Sequence, residues 1–280
     1  MESLKLLNQA SHFLKNKEIN SHRIDSELLL SRVLGKSRED LIVNIKKNVK
    51  KNKIIKYNKL IRRRSLKEPV AYILNRKEFW SRQFIVDKNT LIPRPETELM
   101  VEKIVKIFNS KNISILDIGT GSGCILLSIL LELKNSKGVG IDISKKAIQI
   151  ANQNLRKLKF TSRVKFLRVS FTEIFNQKYD LIVSNPPYIS KRELRNLDDD
   201  VKRFEPKLAL DGGNDGLDVI KKVIYKSKSI LRIKGMLALE IGNEQFKKVS
   251  KILKGNKFKT KYLVKDYREN IRCILSILEK

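Results

Sequence analysis

Five apolar runs between Ile113 and Gly242 constrain this chain more than any other feature. "ISILDIG", "GVGID", "RVKFLRVS", "YDLIVSN" and "GMLALEIG" each read as a strand. Helical stretches, "CILLSILLELKN", "SKKAIQIANQNLRKL" and Gly216 to Leu231, fall between them. Near-continuous Ile, Leu and Val in a short run suits a strand buried on both faces, and strands alternating with helices imply a parallel sheet covered by helices. The tail "FKTKYLVKDYRENIRCILSIL" reads as a closing pair.

The segment before this core has a different period. From Glu2 to about Lys67 there is no proline and only Gly35. Apolar residues recur at three- and four-residue steps: Leu4, Leu7, Ala10 and Phe13, then Ile24, Leu28 and Leu29. That spacing predicts a small helical bundle. "SRED", Ser37 to Asp40, supplies cap residues for the apolar "LIVNI", and Glu68-Pro69 closes the bundle. Between Val70 and Ile92, aromatic and β-branched residues mixed with turn residues predict a short linking hairpin. Trp80, the only tryptophan, is expected to pack at the domain junction. The boundaries that follow are 1–74 for the helical domain, 75–92 for the linker and 93–280 for the α/β domain.

Composition narrows the class. No run of eighteen uncharged apolar residues occurs, which argues against a membrane span. The first twenty residues carry charges throughout and lack the apolar core of a signal peptide. Cys124 and Cys273 are the only cysteines, and His12 and His22 the only histidines, so neither a disulfide framework nor a zinc site is expected. A soluble, cytoplasmic, reduced protein is the expectation. Sixty Lys+Arg against thirty Asp+Glu give a formal charge of +30. Such charge attracts nucleic acid or a ribonucleoprotein nonspecifically. Its scatter along the whole chain reads as compositional bias. The one concentrated run, Lys46 to Ser65, has the spacing of an amphipathic helix with a solvated basic face, and that face is the candidate partner surface.

Two turns carry chemistry. The first strand ends in "DIGTGSG", Asp117 to Gly123. Alternate glycines let backbone approach a ligand closely, but G-x-G-x-G matches neither the dinucleotide nor the phosphate-loop spacing. Asp117 ahead of the loop repels a pyrophosphate and suits a cation. The second strand ends in Asp142, placed to accept hydrogen bonds from ribose hydroxyls. A nucleoside with a cationic tail and no phosphate is S-adenosylmethionine.

The fourth strand ends in "SNPPYIS", Ser184 to Ser190. Proline cannot continue a sheet ladder, so the strand stops there. With strand order 3-2-1-4-5, Asn185 emerges beside the glycine loop at the switch point of the sheet. An amide or aniline-like nitrogen is a poor nucleophile, so its alignment with a methyl donor is the main catalytic need. Positioning of that kind can remove roughly 7–11 kcal/mol of barrier. The Asn185 oxygen can accept one N–H of a planar amino group and the Pro186 carbonyl the other. Pro186 and Pro187 fix φ, and the Tyr188 ring can sandwich the group.

These strings together resemble the PrmC/HemK family, the peptide chain release factor glutamine N5-methyltransferases. "LIPRPETE" (Leu91 to Glu98), "DIGTGSG", "VSNPPYI" and "RFEPKLAL" followed by "DGLD" stand where that family has them, behind a helical N-terminal domain. The resemblance implies a Rossmann-like seven-stranded S-adenosylmethionine-dependent methyltransferase domain with a small N-terminal helical bundle. It implies release factors as protein substrate, methylated on the glutamine of a Gly-Gly-Gln loop, with the helical domain helping to dock them. Carried onto this sequence, Gly119, Thr120, Gly121, Ser122, Gly123 and Asp142 hold the cofactor. Asn185 touches cofactor and substrate, and Pro186, Pro187 and Tyr188 line the substrate slot. The family often has an acid and an aromatic after the third strand. Here Ser170-Phe171 stands there, so Phe171 can pack on the adenine while Ser170 lacks an acid's acceptor strength.

The same Asn-Pro-Pro-aromatic tetrad serves amino-methylation of DNA or rRNA bases, which is the alternative activity. Base enzymes usually need a recognition domain, and none is visible. A non-catalytic binding protein on this fold predicts a degraded loop or tetrad, whereas both are intact.

Overall fold

The computed structural model describes residues 1–160, 162–174 and 177–280. They divide into two compact units, 1–76 with 198–204, and 77–197 with 205–280.

The first unit contains α1 (Ser3–Lys15), α2 (His22–Leu34), α3 (Arg38–Val43), α4 (Lys51–Ser65) and α5 (Val70–Leu74). Leu14, Leu29, Leu30 and Tyr57 fill its core and are almost wholly buried. Ser37 caps α3 by accepting the Asp40 N–H at 3.0 Å, as "SRED" predicts, and Gly35 ends α2 in the left-handed conformation. α4 is amphipathic: Tyr57 and Ile61 face inward while its lysines are mostly exposed. Arg64 turns inward instead, with Nε 2.7 Å from the Asp25 carboxylate, both side chains less than a tenth exposed. A buried pair of this kind costs several kcal/mol if one partner is removed. Asp200, 3.8 Å from Arg64, comes from α10 (Asp199–Phe204), a short helix supplied by the far half of the chain.

The second unit opens with the expected hairpin, β1 (Lys77–Phe79) paired antiparallel with β2 (Arg82–Phe84); the start of the segment read as hairpin, Val70–Leu74, is helical. Trp80 at its tip packs on the core of this unit and donates its ring N–H to Glu132 at 2.9 Å. Next come α6 (Pro95–Phe108), β3 (Ser114–Ile118), α7 (Cys124–Glu132), β4 (Lys137–Asp142), α8 (Lys145–Lys157), β5 (Val164–Arg168) and β6 (Tyr179–Ser184). The rest comprises α9 (Lys191–Leu194), α11 (Asp218–Ile230), β7 (Leu231–Glu240), α12 (Phe246–Gly255), β8 (Phe258–Lys265) and β9 (Ile271–Leu278). The described strands form a seven-stranded sheet in the order β5-β4-β3-β6-β7-β9-β8, in which β9 alone runs antiparallel to its neighbours. Its first five strands reproduce the 3-2-1-4-5 order.

The period of two along each strand sorts side chains into two cores. Ile115, Leu181, Val183 and Ala238 pack with α6, α7 and α8, whereas Leu116, Ile182, Leu237 and Leu239 pack with α11 and α12. Truncating any of these buried Ile or Leu residues to Ala costs about 2–5 kcal/mol. Among the described residues, no helix is long and apolar enough to cross a membrane, and no group of three or more His, Cys, Asp or Glu is arranged to hold a metal.

Candidate active site

Pairing register alone brings the two turns together. Ile118, the last residue of β3, pairs with Ser184, the last residue of β6, and the Ser184 hydroxyl donates to the Ile118 carbonyl at 2.8 Å. Gly119 and Asn185 are therefore the next residues on adjacent parallel strands, at their carboxyl ends. Ile118 also pairs with Ile141, so Asp142 completes a row of three. A cavity of about 410 Å³ opens above this row, within the size range of small-molecule sites.

The glycine side of the cavity is held mainly by backbone. Gly119, Gly121 and Gly123 have φ of 74°, 55° and 79°, the left-handed region that favours glycine. The N–H groups of Gly119 and Thr120 both reach the Ile141 carbonyl at 2.9 Å, tying the loop to β4. Asp142 accepts the Gly121 N–H at 3.1 Å and the Ser144 N–H at 2.9 Å, so each carboxylate oxygen is oriented yet keeps lone-pair capacity for a ligand. Burial pushes its carboxyl up, against those N–H donors. From behind, Asn154 donates to the Ser122 carbonyl at 2.9 Å.

Gly119, Thr120, Gly121, Ser122 and Asp142 line the cavity, but Asp117 and Gly123 do not. Strand parity puts Asp117 on the same face as Ile115, the one covered by α6, α7 and α8, and it lies fully buried beneath the loop rather than at the mouth. Its Oδ2 accepts the Thr120 hydroxyl at 2.6 Å, while its Oδ1 has no partner among the described residues. Desolvation drives its carboxyl up to about 7. Gly123 is glycine for packing as well as for its φ, since a Cβ there would lie 2.7 Å from the Phe166 ring.

The proline side is rigid. Asn185, Pro186 and Pro187 line the cavity. The chain beyond is clamped by the "LALDGGNDGLD" stretch: the Ile189 N–H reaches the Leu210 carbonyl at 3.1 Å, and the Gly212 N–H reaches that of Ile189 at 2.9 Å. Gly216 approaches so closely that a Cβ would lie 2.3 Å from the Tyr188 carbonyl oxygen. Gln245 donates to that same oxygen at 2.9 Å while accepting the Gly242 N–H at 2.9 Å. The Tyr188 ring packs on the α11/α12 core beside Gly242 and lies outside the cavity lining. Burial raises its phenol well above the usual range, so it stays neutral.

Phe171 sits in a single 3-10 turn, Phe171–Glu173, opened by the Ser170 hydroxyl, and lines the cavity with Val169 and the half-exposed Ile143. These apolar surfaces suit a planar base. Three features of this structure fit S-adenosylmethionine: the unpartnered buried oxygen of Asp117 behind the loop, oriented Asp142, and open space at Gly119, where a Cβ would meet nothing within 4 Å.

Several participants were invisible in the sequence. Arg94 lines the cavity and donates to Glu205 at 2.5 Å, and Glu205 also accepts the Ile92 N–H at 3.2 Å. This link joins "LIPRPETE" to "RFEPKLAL", 111 residues apart. Thr97 donates to Glu240 at 2.7 Å, and Glu240 follows Leu239, the partner of Ser184, so it stands beside Asn185 at the end of the neighbouring strand. A signal for Glu240 existed: like Asp142, it is an acid at the carboxyl end of an apolar strand.

Known proteins bear on this geometry. Residues 5–74 match the PrmC N-terminal domain family and residues 109–270 a methyltransferase domain family. The release factor glutamine methyltransferase of Caulobacter vibrioides is 35% identical, covering 94% of this chain and 92% of that protein. That of Clostridium acetobutylicum is 37% identical, covering 96% of each. A bifunctional methyltransferase of Rickettsia prowazekii is 35% identical over 96% of this chain, which spans only about half (56%) of that protein's length. Among solved structures, a methyltransferase from Pyrococcus furiosus superposes with a TM-score of 0.54 at 14% identity, covering 70% of this chain and 89% of that one. The tRNA m1G37 methyltransferase of M. jannaschii gives 0.52 at 18%, covering 73% and 56%. These two likenesses speak to the fold of the sheet unit. Identity above a third across both the helical and the sheet regions, with a glycine loop and an Asn-Pro-Pro-Tyr turn side by side, makes this chain a member of the release factor glutamine methyltransferase family.

Proposed function

We propose that this protein transfers a methyl group from S-adenosylmethionine to the side-chain amide nitrogen (N5) of the glutamine in the Gly-Gly-Gln loop of peptide chain release factors. The observation that carries the reading is the Ile118–Ser184 register, which sets Asn185 beside the glycine loop. When bound, S-adenosylmethionine supplies an electrophilic methyl group on a cationic sulfur. Gly119, Thr120, Gly121, Ser122 and Asp142 hold it, with Phe171 against its base and Gly123 fixing the start of α7. Asp117 contributes negative charge from beneath the loop.

The task of the proline side is alignment. Asn185 Oδ1 and the Pro186 carbonyl, which lies beyond the last paired residue of β6, accept the two N–H bonds of the glutamine amide. Two acceptors hold that group flat and aim its nitrogen at the cofactor. Pro186 and Pro187 keep the acceptors from yielding, and Tyr188 anchors the slot through the backbone that Gln245 grips. Residues 1–74 dock the release factor, 75–92 connect, and 93–280 carry out the transfer. A substrate drawn from translation places this work in the cytoplasm.

The test is methyl-label transfer from S-adenosylmethionine to purified release factor, to the same factor with its loop glutamine changed to alanine, and to DNA and rRNA. Label on the intact factor alone is expected. Label only in nucleic acid would favour a base methyltransferase and overturn the proposal.

A further inference from the structure

A carboxamide has two nearly isosteric ends, and only its oxygen can accept an N–H. If the Asn185 amide were turned over, it would present N–H to the N–H of the substrate. The shape of the cavity cannot choose between the two orientations, so a hydrogen-bonding partner must.

That partner is at hand. Glu240 ends β7, two strand-ends from the glycine loop, and is 2% exposed. Its backbone is fixed by pairing with Cys273 on β9. Ser184 pairs with Leu239, so Asn185 and Glu240 follow side by side at the ends of β6 and β7, and the Glu240 carboxylate accepts the Thr97 hydroxyl at 2.7 Å on its other side. An ionised carboxylate only accepts, so it takes the Asn185 Nδ2–H and turns Oδ1 away from itself. Thr97 lies in the first turn of α6, 143 residues away in sequence, and its donation holds the carboxylate plane.

We propose that Glu240, steadied by Thr97, is a positioning residue that fixes the polarity of the Asn185 amide so that its oxygen faces the nitrogen to be methylated. This rests on the functional reading above and extends it from Asn185 to the pair behind it.

The surroundings make the device sensitive to pH. Arg272 faces Glu240 and favours its charge, whereas Glu96 opposes it; the Tyr188 phenol and the Cys124 and Cys273 thiols nearby are neutral. Burial outweighs the hydrogen bonds and lifts Glu240 to about 7. Below that pH the protonated acid can donate to Asn185 Oδ1 and select the wrong orientation. Activity at saturating cofactor therefore rises with pH through about 7 and then levels. Asp117 titrates in the same range, but its effect is expected in cofactor affinity, which saturation removes.

The experiment measures kcat and KM for release factor between pH 5.5 and 9 in the wild type, Glu240→Gln, Thr97→Val and Thr97→Ser. Calorimetry follows cofactor affinity, and a melting curve reports folding. Glu240→Gln should lower kcat about 10²-fold, the scale seen when one preorganised hydrogen-bonding group is lost. Its KM and cofactor Kd should stay within about twofold of wild type, since the altered contact orients Asn185 without touching either ligand. The acidic limb near pH 7 should vanish. Thr97→Val should lose about tenfold in kcat, and Thr97→Ser should recover it by restoring the hydroxyl donor. The proposal is overturned if Glu240→Gln keeps its acidic limb and more than half of wild-type kcat. It is equally overturned if kcat, cofactor affinity and melting temperature fall together, which marks a structural role.

A second measurement needs no turnover. The Asn185 side-chain NH₂ resonance should shift with a midpoint near pH 7 in the wild type and stay still in Glu240→Gln. A resonance that ignores pH in the wild type sinks the proposal. Wild-type protein that binds cofactor but leaves release factor unlabelled sinks the functional reading instead, while the resonance still judges the amide.

Discussion

The two turns that meet above β3 and β6 solve opposite problems. The loop from Gly119 to Gly123 uses residues that tolerate positive φ, bends sharply three times and leaves its inner face bare. The Asn185–Tyr188 turn uses two prolines and is gripped from outside by Gly212, Gly216 and Gln245. One side gives up side chains so that backbone can lie against a ligand. The other restricts backbone so that two acceptors stay fixed. Binding a large, many-contact molecule tolerates small displacements. Aligning one nitrogen with one carbon does not, since misplacement by about 1 Å can cost 10²-fold in rate.

That contrast can be broken at either turn. The largest effect is expected from Asn185→Ala: kcat should fall by about 10²–10⁴-fold while cofactor Kd changes less than about threefold, because alignment is lost and the cradle is not. Single-turnover methylation with calorimetry checks it, and a loss under tenfold would remove Asn185 from the assigned role. Gly119→Ala should do the reverse. Its Cβ meets no protein atom within 4 Å, so only the left-handed backbone is penalised, by about 1–2 kcal/mol in a denaturant melt. Cofactor affinity should fall more than about tenfold, since the new methyl group occupies the ligand's side of the loop. At the clamp, Gly216→Ala forces a Cβ to within 2.3 Å of a carbonyl oxygen and should cost more than about 2 kcal/mol of stability, with kcat falling ahead of cofactor affinity.

A smaller, pH-dependent effect separates the turns electrostatically. Asp117 is raised to about 7 by burial, and a cation near the loop favours its ionised form. Affinity for S-adenosylmethionine should therefore increase as pH rises from 6 to 8, while S-adenosylhomocysteine, with its uncharged sulfur, should show no such trend in parallel titrations. The sign for stability is opposite. The folded-state value of Asp117 exceeds its unfolded value near 4, so the folded protein holds the extra proton between about pH 4 and 7. Its contribution is fully present below pH 4 and is lost as pH rises through 7, and Asp117→Asn should flatten that slope in thermal melts. The smallest change is expected for Phe171→Ala, about threefold to tenfold in cofactor affinity with kcat at saturation unaltered, as one apolar wall among several is removed.

Legibility followed sequence distance. "DIGTGSG" and "NPPY" could be read because glycine and proline act on their own backbone, wherever the strand lies. The cap of α3 and the covering of the parallel sheet by helices were readable from equally local patterns. Placing Asp117 at the mouth was mistaken, because its parity on β3 and the reach of the Thr120 hydroxyl decide which way it faces. For Trp80 the sequence offered no partner, and the structure supplies Glu132 and the core of the sheet unit. The Arg94–Glu205 and Thr97–Glu240 bonds span 111 and 143 residues, and no local pattern announces them. Nor does anything between Leu197 and Glu205 foretell that 198–204 folds with the helical unit; the Asp200–Arg64 contact is an outcome of packing.

By itself the sequence determined where strands and helices fall, where the chain must turn, and which turns carry bare backbone or rigid carbonyls. Those properties belong to single residues and their immediate neighbours. Tertiary structure alone decided which strand ends lie side by side, which oxygen of the Asp117 carboxylate is left without a partner, and which hydroxyl holds the Glu240 carboxylate. Each depends on register or on a hydrogen bond between residues far apart in the chain, and such pairings acquire a definite energy only when folding has brought the partners within reach.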